Sequence, residues 1–318
     1  MRSFLHRCFP KTAPPAAILL FLAQGLAHAK QPLPPPKVYQ PEIAYTSNQG
    51  ATYSIYVANA DGTNAVAVYS NKGFGAGSLS FVPGSGNGSG QLAFYELYSV
   101  KLLTFTVTAS GITTSSVVTL VTEPTLIHYV DVSPPSSAGQ FVLYGVGHPD
   151  NTTTIKVISI AGGQPISVAT GNLGDAVWSR DLTRIAVLVG NPNVAGVTQQ
   201  IEMLDLNSSF VAGAATVIYE KSCDGCLNNL QFARTGDYVI FDGGQGVIYE
   251  IDADLASPSV ATPFPVSGYQ ACFNHDDTEI IFRRFSDSHV FVYGISTMIQ
   301  TPVSPSYGAS PDFRAWSP

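Results

Sequence analysis

A unit of two apolar runs joined by a polar turn recurs along this 318-residue chain, and no other feature narrows its fold so far. Each first run carries an apolar anchor, and the turn leads into a second run rich in apolar and aromatic residues. Ser80-Phe81-Val82-Pro83 leads to Gln91-Leu92-Ala93-Phe94, and Asp131-Val132-Ser133-Pro134 to Gln140-Phe141-Val142-Leu143. Val177-Trp178-Ser179-Arg180 leads to Arg184-Ile185-Ala186-Val187, and Gln231-Phe232-Ala233-Arg234 to Tyr238-Val239-Ile240-Phe241. Cys272-Phe273-Asn274-His275 leads to Glu279-Ile280-Ile281-Phe282. The anchors Phe81, Val132, Trp178, Phe232, Phe273 and Trp316 follow one another at 51, 46, 54, 41 and 43 residues. Repeats of about 40 to 50 residues are the size of four-stranded propeller blades.

Each unit continues with two more strand-like runs. In the first they are residues 53–60 and 65–70, joined by Asp61-Gly62, a hairpin signal because both residues tolerate positive φ. Later units repeat the plan at 154–160 and 165–170, and at 200–206 and 215–219; residues 247–251 and 290–295 open the same pairs in the last two. Apolar and polar residues alternate at many of these positions, the period of a strand, and nothing after the N-terminal segment sustains helical periodicity. The two ends are each incomplete. Residues 313–318 supply a first strand and the start of its turn; Glu42-Ile43-Ala44-Tyr45-Thr46-Ser47 supplies the matching second strand. Joining them staples a ring with backbone hydrogen bonds and leaves no blade face bare. The expected fold is therefore all-β: a six-bladed β-propeller of four-stranded antiparallel blades over residues 42–318, its ring closed by strands from both termini.

The segment ahead of the repeats reads as an export signal over residues 1–29. Arg2, Arg7 and Lys11 precede an apolar run at 16–27, too short for the roughly 20 residues of a membrane span, and Ala27-His28-Ala29 fits a small-x-small cleavage site. Cleavage there would leave Lys30 as the mature N-terminus. Residues 30–41 hold five prolines and read as an extended tether. The formal charge is −7, and it falls to −10 without the leader, which carries three cations and no anion. So acidic a chain argues against nucleic acid or anionic lipid as a partner, since both require basic patches. Beyond Cys8, in the leader, the cysteines are Cys223, Cys226 and Cys272. In an oxidising compartment Cys223-Asp224-Gly225-Cys226 reads first as a local disulfide. Free thiols are a second reading. Redox or metal work is a third, although the βαβ context of a redox motif and the second pair of a zinc site are missing.

Ala315-Trp316-Ser317-Pro318, Ile43-Ala44-Tyr45-Thr46-Ser47 and Ile55-Tyr56-Val57-Ala58-Asn59-Ala60-Asp61-Gly62 resemble the WD40-like repeat of the TolB-like propellers. There a Trp-Ser-Pro-Asp-Gly stretch precedes an Ile-Ala-Phe-Thr-Ser strand and an Ile-Tyr-Val strand. The resemblance covers about residues 42–318 and implies a propeller in the periplasm or outside the cell. This chain departs from the pattern in two ways: most units lack the Asp-Gly after the proline, and Arg180, Arg234 and His275 stand where the proline would be.

The resemblance implies that the anchor-bearing strand is the innermost of each blade. Residues three or four before each anchor then ring one mouth of a central channel: Ser78, His128, Asp175, Asn228 with Asn229, Gln270 and Asp312. Such a ring suits bound water, a cation or a small polar ligand. Enzyme signatures are scarce. There is no Gly-x-Ser-x-Gly elbow and no His-Glu-x-x-His, and Gly84-Ser85-Gly86-Asn87-Gly88-Ser89-Gly90 lacks the helix and Lys of a phosphate loop. Some TolB-like propellers are pectate lyases with several His metal ligands in the channel, but only His128 falls on this ring. The sequence thus points to an exported binding scaffold, without metal or cofactor, whose partner is another envelope or secreted protein or a small polar ligand. The alternative is a carbohydrate-active lyase or hydrolase working in the polar channel.

Overall fold

The computed structural model describes residues 42–49, 52–72, 76–84, 89–108, 111–190, 198–222, 227–254, 260–303 and 309–313. The expected leader and tether, Cys223, Cys226 and Trp316 lie outside them, as does the side chain of Asp312. All regular structure among the described residues is β. β1 (Ile43–Gln49), β2 (Thr52–Ala58) and β3 (Val66–Lys72) are followed by β4 (Ala76–Phe81), β5 (Ser89–Glu96), β6 (Ser99–Thr108) and β7 (Gly111–Thr122). Then come β8 (Ile127–Val132), β9 (Phe141–Gly147), β10 (Thr153–Ser159) and β11 (Ile166–Gly171), and after them β12 (Leu173–Trp178), β13 (Arg184–Val189), β14 (Thr198–Leu206) and β15 (Ala212–Ser222). β16 (Asn228–Phe232), β17 (Tyr238–Asp242), β18 (Val247–Asp252), β19 (Thr262–Phe273), β20 (Glu279–Arg284), β21 (Val290–Gly294) and β22 (Gln300–Pro302) precede the last strand, β23 (Ala309–Phe313).

These strands form five antiparallel sheets, four of four strands and one of seven. In the seven-stranded sheet β19 serves twice. Its first half pairs with β18 (Val247↔Ser267) and its second half with β20 (Gly268↔Arg284), so two expected four-stranded units run together without a break. The spacing from Phe232 to Phe273, over which this happens, is the shortest between anchors. β23 pairs with β1 through Ile43↔Phe313, Ala44↔Asp312 and Thr46↔Ala309, which puts strands from both ends of the chain in one sheet.

The second strand of each set is buried on both faces, as Leu92-Ala93-Phe94, Val142-Leu143-Tyr144 and Ile280-Ile281-Phe282 show. Continuous apolar runs are what a strand covered on both sides requires. The outer strands β3, β11 and β15 are largely open to solvent. Packing explains the contrast. Six buried clusters each join neighbouring sets of strands: Leu92 and Phe94 pack with Ile55 and Val57, for example, and Trp178 and Ile185 with Leu143 and Ile155. The sixth joins Ile281 and Val292 of β20 and β21 to Ile43 and Tyr45 of β1, and Cys272 is buried within it. Each fully buried aliphatic or aromatic side chain contributes about 1.5–3 kcal/mol. The anchor strands also neighbour one another in order, β4 beside β8, β12, β16 and β19 in succession, with β23 next to both β19 and β4.

Carboxylates tie one set to the next. Asp277, in the turn after β19, accepts hydrogen bonds from the backbone N–H groups of Arg234 (2.7 Å), Thr235 (2.7 Å) and Gly236 (3.0 Å) in the turn after β16. No helix among the described residues is long and apolar enough to cross a membrane.

Candidate functional site

Every anchor strand breaks register with its partner a few residues before the anchor. The shifts fall between Gly77 and Leu79, Ile127 and Val130, Leu173 and Ala176, Asn228 and Gln231, and Tyr269 and Cys272. Such bulges bend a strand and re-aim one side chain, and they concentrate next to functional sites. Three of the residues at these bulges, Ser78 (φ 30°), Asn229 (φ 51°) and Gln270 (φ 57°), sit in the left-handed region that non-glycine residues seldom occupy.

The re-aimed residues meet. Ser78, Tyr129, Asp175, Asn229 and Gln270, each three residues before its anchor, line one narrow space between the anchor strands, with a cavity of about 40 Å³. The sequence expectation put His128 in this ring; Tyr129 takes that level instead. His128 lies one residue farther out, in a wider cavity of about 690 Å³ that Ser78, Asp175, Asn228 and Asn229 also reach. The register is therefore three residues before the anchor throughout. The backbone of Asp312 pairs with Ala44 in β1, and its side chain lies outside the described residues. His128 is exposed to the cavity, yet the surrounding walls desolvate it enough to lower its pKa. Its ring lies against Gly147, where any Cβ would collide with it. His148 lines the same cavity, and its Nε2 pairs with Thr154 Oγ1 at 2.8 Å.

Two carboxylates, Asp131 and Asp242, lie behind the ring and join Asp175 in it; sequence reasoning picked out only Asp175. Asp175 accepts from Leu230 N–H (2.8 Å) and Ala176 N–H (3.0 Å). Asp242 accepts from Gln270 N–H (3.0 Å) and from the Asn229 amide. Asp131 accepts from Trp178 N–H (2.9 Å) and Ser80 Oγ–H (3.2 Å). Each carboxylate thus reaches a backbone donor on the next anchor strand. Burial raises all three pKa values, those of Asp175 and Asp242 to about 7, and each of these two is raised a little further by a neighbouring carboxylate. Asp131 and Asp242 left a trace in the sequence as acids inside apolar runs, Tyr-Val-Asp-Val and Val-Ile-Phe-Asp. The buried Tyr129 hydroxyl has no hydrogen-bond partner and suits a water or a ligand atom within the ring. Among the described residues no three His, Cys, Asp or Glu side chains gather as metal ligands do.

No protein-family model matches the sequence, and neither does any curated protein. Solved structures do match the fold. TolB from Acinetobacter baumannii superposes with a TM-score of 0.64 at 13% identity, over 88% of this chain and 68% of that one. A chain of a nidogen/laminin complex gives 0.62 at 9% identity, over 87% of this chain and all of the other. A protein of unknown function from Desulfotomaculum acetoxidans gives 0.59 at 10% identity, over 87% and 100%. At such identities the likeness carries the fold alone, and the fold is that of a β-propeller like TolB.

Proposed function

We propose that this chain is a six-bladed propeller, exported from the cell, that works as a binding scaffold and takes its protein or small polar partner at the wide mouth of the channel. Six buried clusters between successive strand sets support the blade count, and β23 between β19 and β4 supports closure of the ring. In this reading the seven-stranded sheet is two blades sharing β19. The observation that carries the function is the cavity of about 690 Å³, which lies within the usual range of ligand sites, about 300–1,000 Å³. Its walls combine strand ends fixed by bulges with the loops at Tyr98 and Asn151. Fixed polar groups beside exposed loops make a recognition surface on a rigid frame.

One observation favours a second reading, catalysis on a carbohydrate in the channel: Asp175, with a pKa of about 7, lines a cavity shared with His128. The scaffold reading accounts for the same fact, because Asp175 is desolvated by burial and accepts two backbone N–H groups. In vivo photocrosslinking separates the two. A benzoylphenylalanine at Asn151 is expected to capture one discrete partner or ligand that the same probe at Met298, an exposed residue outside the cavity lining, does not capture. That adduct should persist in His128→Ala, and the exported protein should begin at Lys30 in mass spectra. Equal labelling from both positions would contradict the scaffold reading. A retained Met1 would contradict export.

A further inference from the structure

A second cavity, of about 560 Å³, opens at the opposite end of the anchor strands. Its lining comes from the residues at and just after the anchors. Pro83, Pro134, Trp178 and Phe232 make the apolar part, and Arg180, Arg234 and His275 bring positive or ionisable groups. The latter three share a repeat position, two residues past the anchors Trp178, Phe232 and Phe273, where the first two units carry Pro83 and Pro134. Three successive units thus aim basic side chains into one mouth of a chain whose net charge is −7. Arg180 is braced there by a 2.6 Å hydrogen bond to the Thr235 carbonyl.

Two carboxylates are close, Asp276 tied into its own turn and Asp277 into the turn after β16. Asp276 accepts from Thr278 Oγ–H at 2.6 Å, and Asp277 holds the backbone N–H groups of 234–236. Asp131 lies beneath, held by Trp178 N–H and Ser80 and within electrostatic reach of Arg234, as Asp237 is of Arg180. Trp178, in the cavity wall and only 2% exposed, has an indole Nε1–H with no hydrogen-bond partner.

We propose that this second mouth binds a small organic anion, a carboxylate on an aromatic or aliphatic body, with the apolar body against Trp178, Phe232 and Pro134 and the carboxylate facing Arg180, Arg234 and His275. The volume suits a small molecule. Arginine forks match carboxylate oxygens, and charge-assisted bonds are about twice as strong as neutral ones. The site is at the other end of the strands from the proposed partner surface, so either reading can fail without the other.

Calorimetric titration with naphthalene-2-carboxylate tests it, with naphthalene-2-carboxamide as the uncharged comparator. The expected result is one site per chain, with the carboxylate bound about tenfold or more tightly than the amide and weakened by salt. The double variant Arg180→Gln, His275→Gln changes two exposed residues, so it should melt like the parent. It should lose about tenfold in carboxylate affinity while amide binding holds. Asn151→Ala, at the other mouth, should change neither. Equal affinities for the two probes, no binding in the millimolar range, or undiminished carboxylate binding by a folded double variant would each overturn the proposal.

Discussion

Deleting residues 309–318 is expected to lower the melting temperature by at least about 10 °C, or to leave no soluble protein, although it removes only ten residues of 318. β23 is the sole partner on one side of β1, whose Ile43 and Ala44 are fully buried and whose Tyr45 is 1% exposed. It also sits between β19 and β4, the strands that end on the buried Phe273 and Phe81. Its loss would open these residues to water and free the edge of β1 for pairing with other chains. Each newly exposed large apolar side chain costs about 1.5–3 kcal/mol, and a typical domain has only about 5–15 kcal/mol in all. A tail that contributes nothing would leave the melt unchanged. Differential scanning calorimetry of the two proteins at equal concentration reads the difference directly.

Stability is expected to fall as pH rises from about 4 to about 7. Asp175 and Asp242 ordinarily titrate near 3.8 and in this fold do so at about 7, chiefly because burial disfavours the charged carboxylates. The folded state therefore holds protons that the unfolded chain has already released. A raised carboxylate pKa contributes stability that is fully present below the unfolded value and lost as pH climbs through the folded one. A shift of this size corresponds to about 4 kcal/mol per group. Surface acids act in the opposite sense at lower pH. Asp287, held at about 2 first by its bond to Arg284, loses its contribution below about pH 4. Maximal stability should therefore lie near pH 4–5, with a drop of several kcal/mol by pH 8. Urea titrations across this range would show the slope, and Asp242→Asn should remove about half of it. Constant stability from pH 5 to 8 would show that the two buried acids do not govern it.

Much of this fold could be read from the sequence, because a propeller repeats its instructions. Phe81, Val132, Trp178, Phe232 and Phe273 each end an anchor strand as the repeat predicts, and Asp61-Gly62 makes its turn, with Gly62 at φ 76°. The two ends do share a sheet, but through 309–313 against β1; of the expected strand 313–318 only Phe313 lies among the described residues. Shared β19 could not be foreseen, since nothing in Thr262-Pro263-Phe264-Pro265-Val266 says whether a strand stops or bends into the next set. The ring was partly legible. Ser78, Asp175, Asn229 and Gln270 converge, whereas His128 sits one residue outside because the bulge, a property of paired strands, decides which side chain turns inward. Asp131 and Asp242 escaped notice because an acid in sequence reads as turn or surface, and only the neighbouring strand supplies the N–H groups that justify its burial. Arg180, Arg234 and His275 were visible as departures from a turn motif, but their meeting in one cavity depends on how successive units stack.

The central claim is that strands from the two ends of the chain close the ring. Hydrogen exchange of the intact protein, followed by mass spectrometry, tests it without altering a residue. The account predicts that the amides of 309–313 exchange as slowly as those of β1 and β2, opening only with global unfolding. Exchange of 309–313 at the rate of an unstructured peptide, while β2 stays protected, would contradict it.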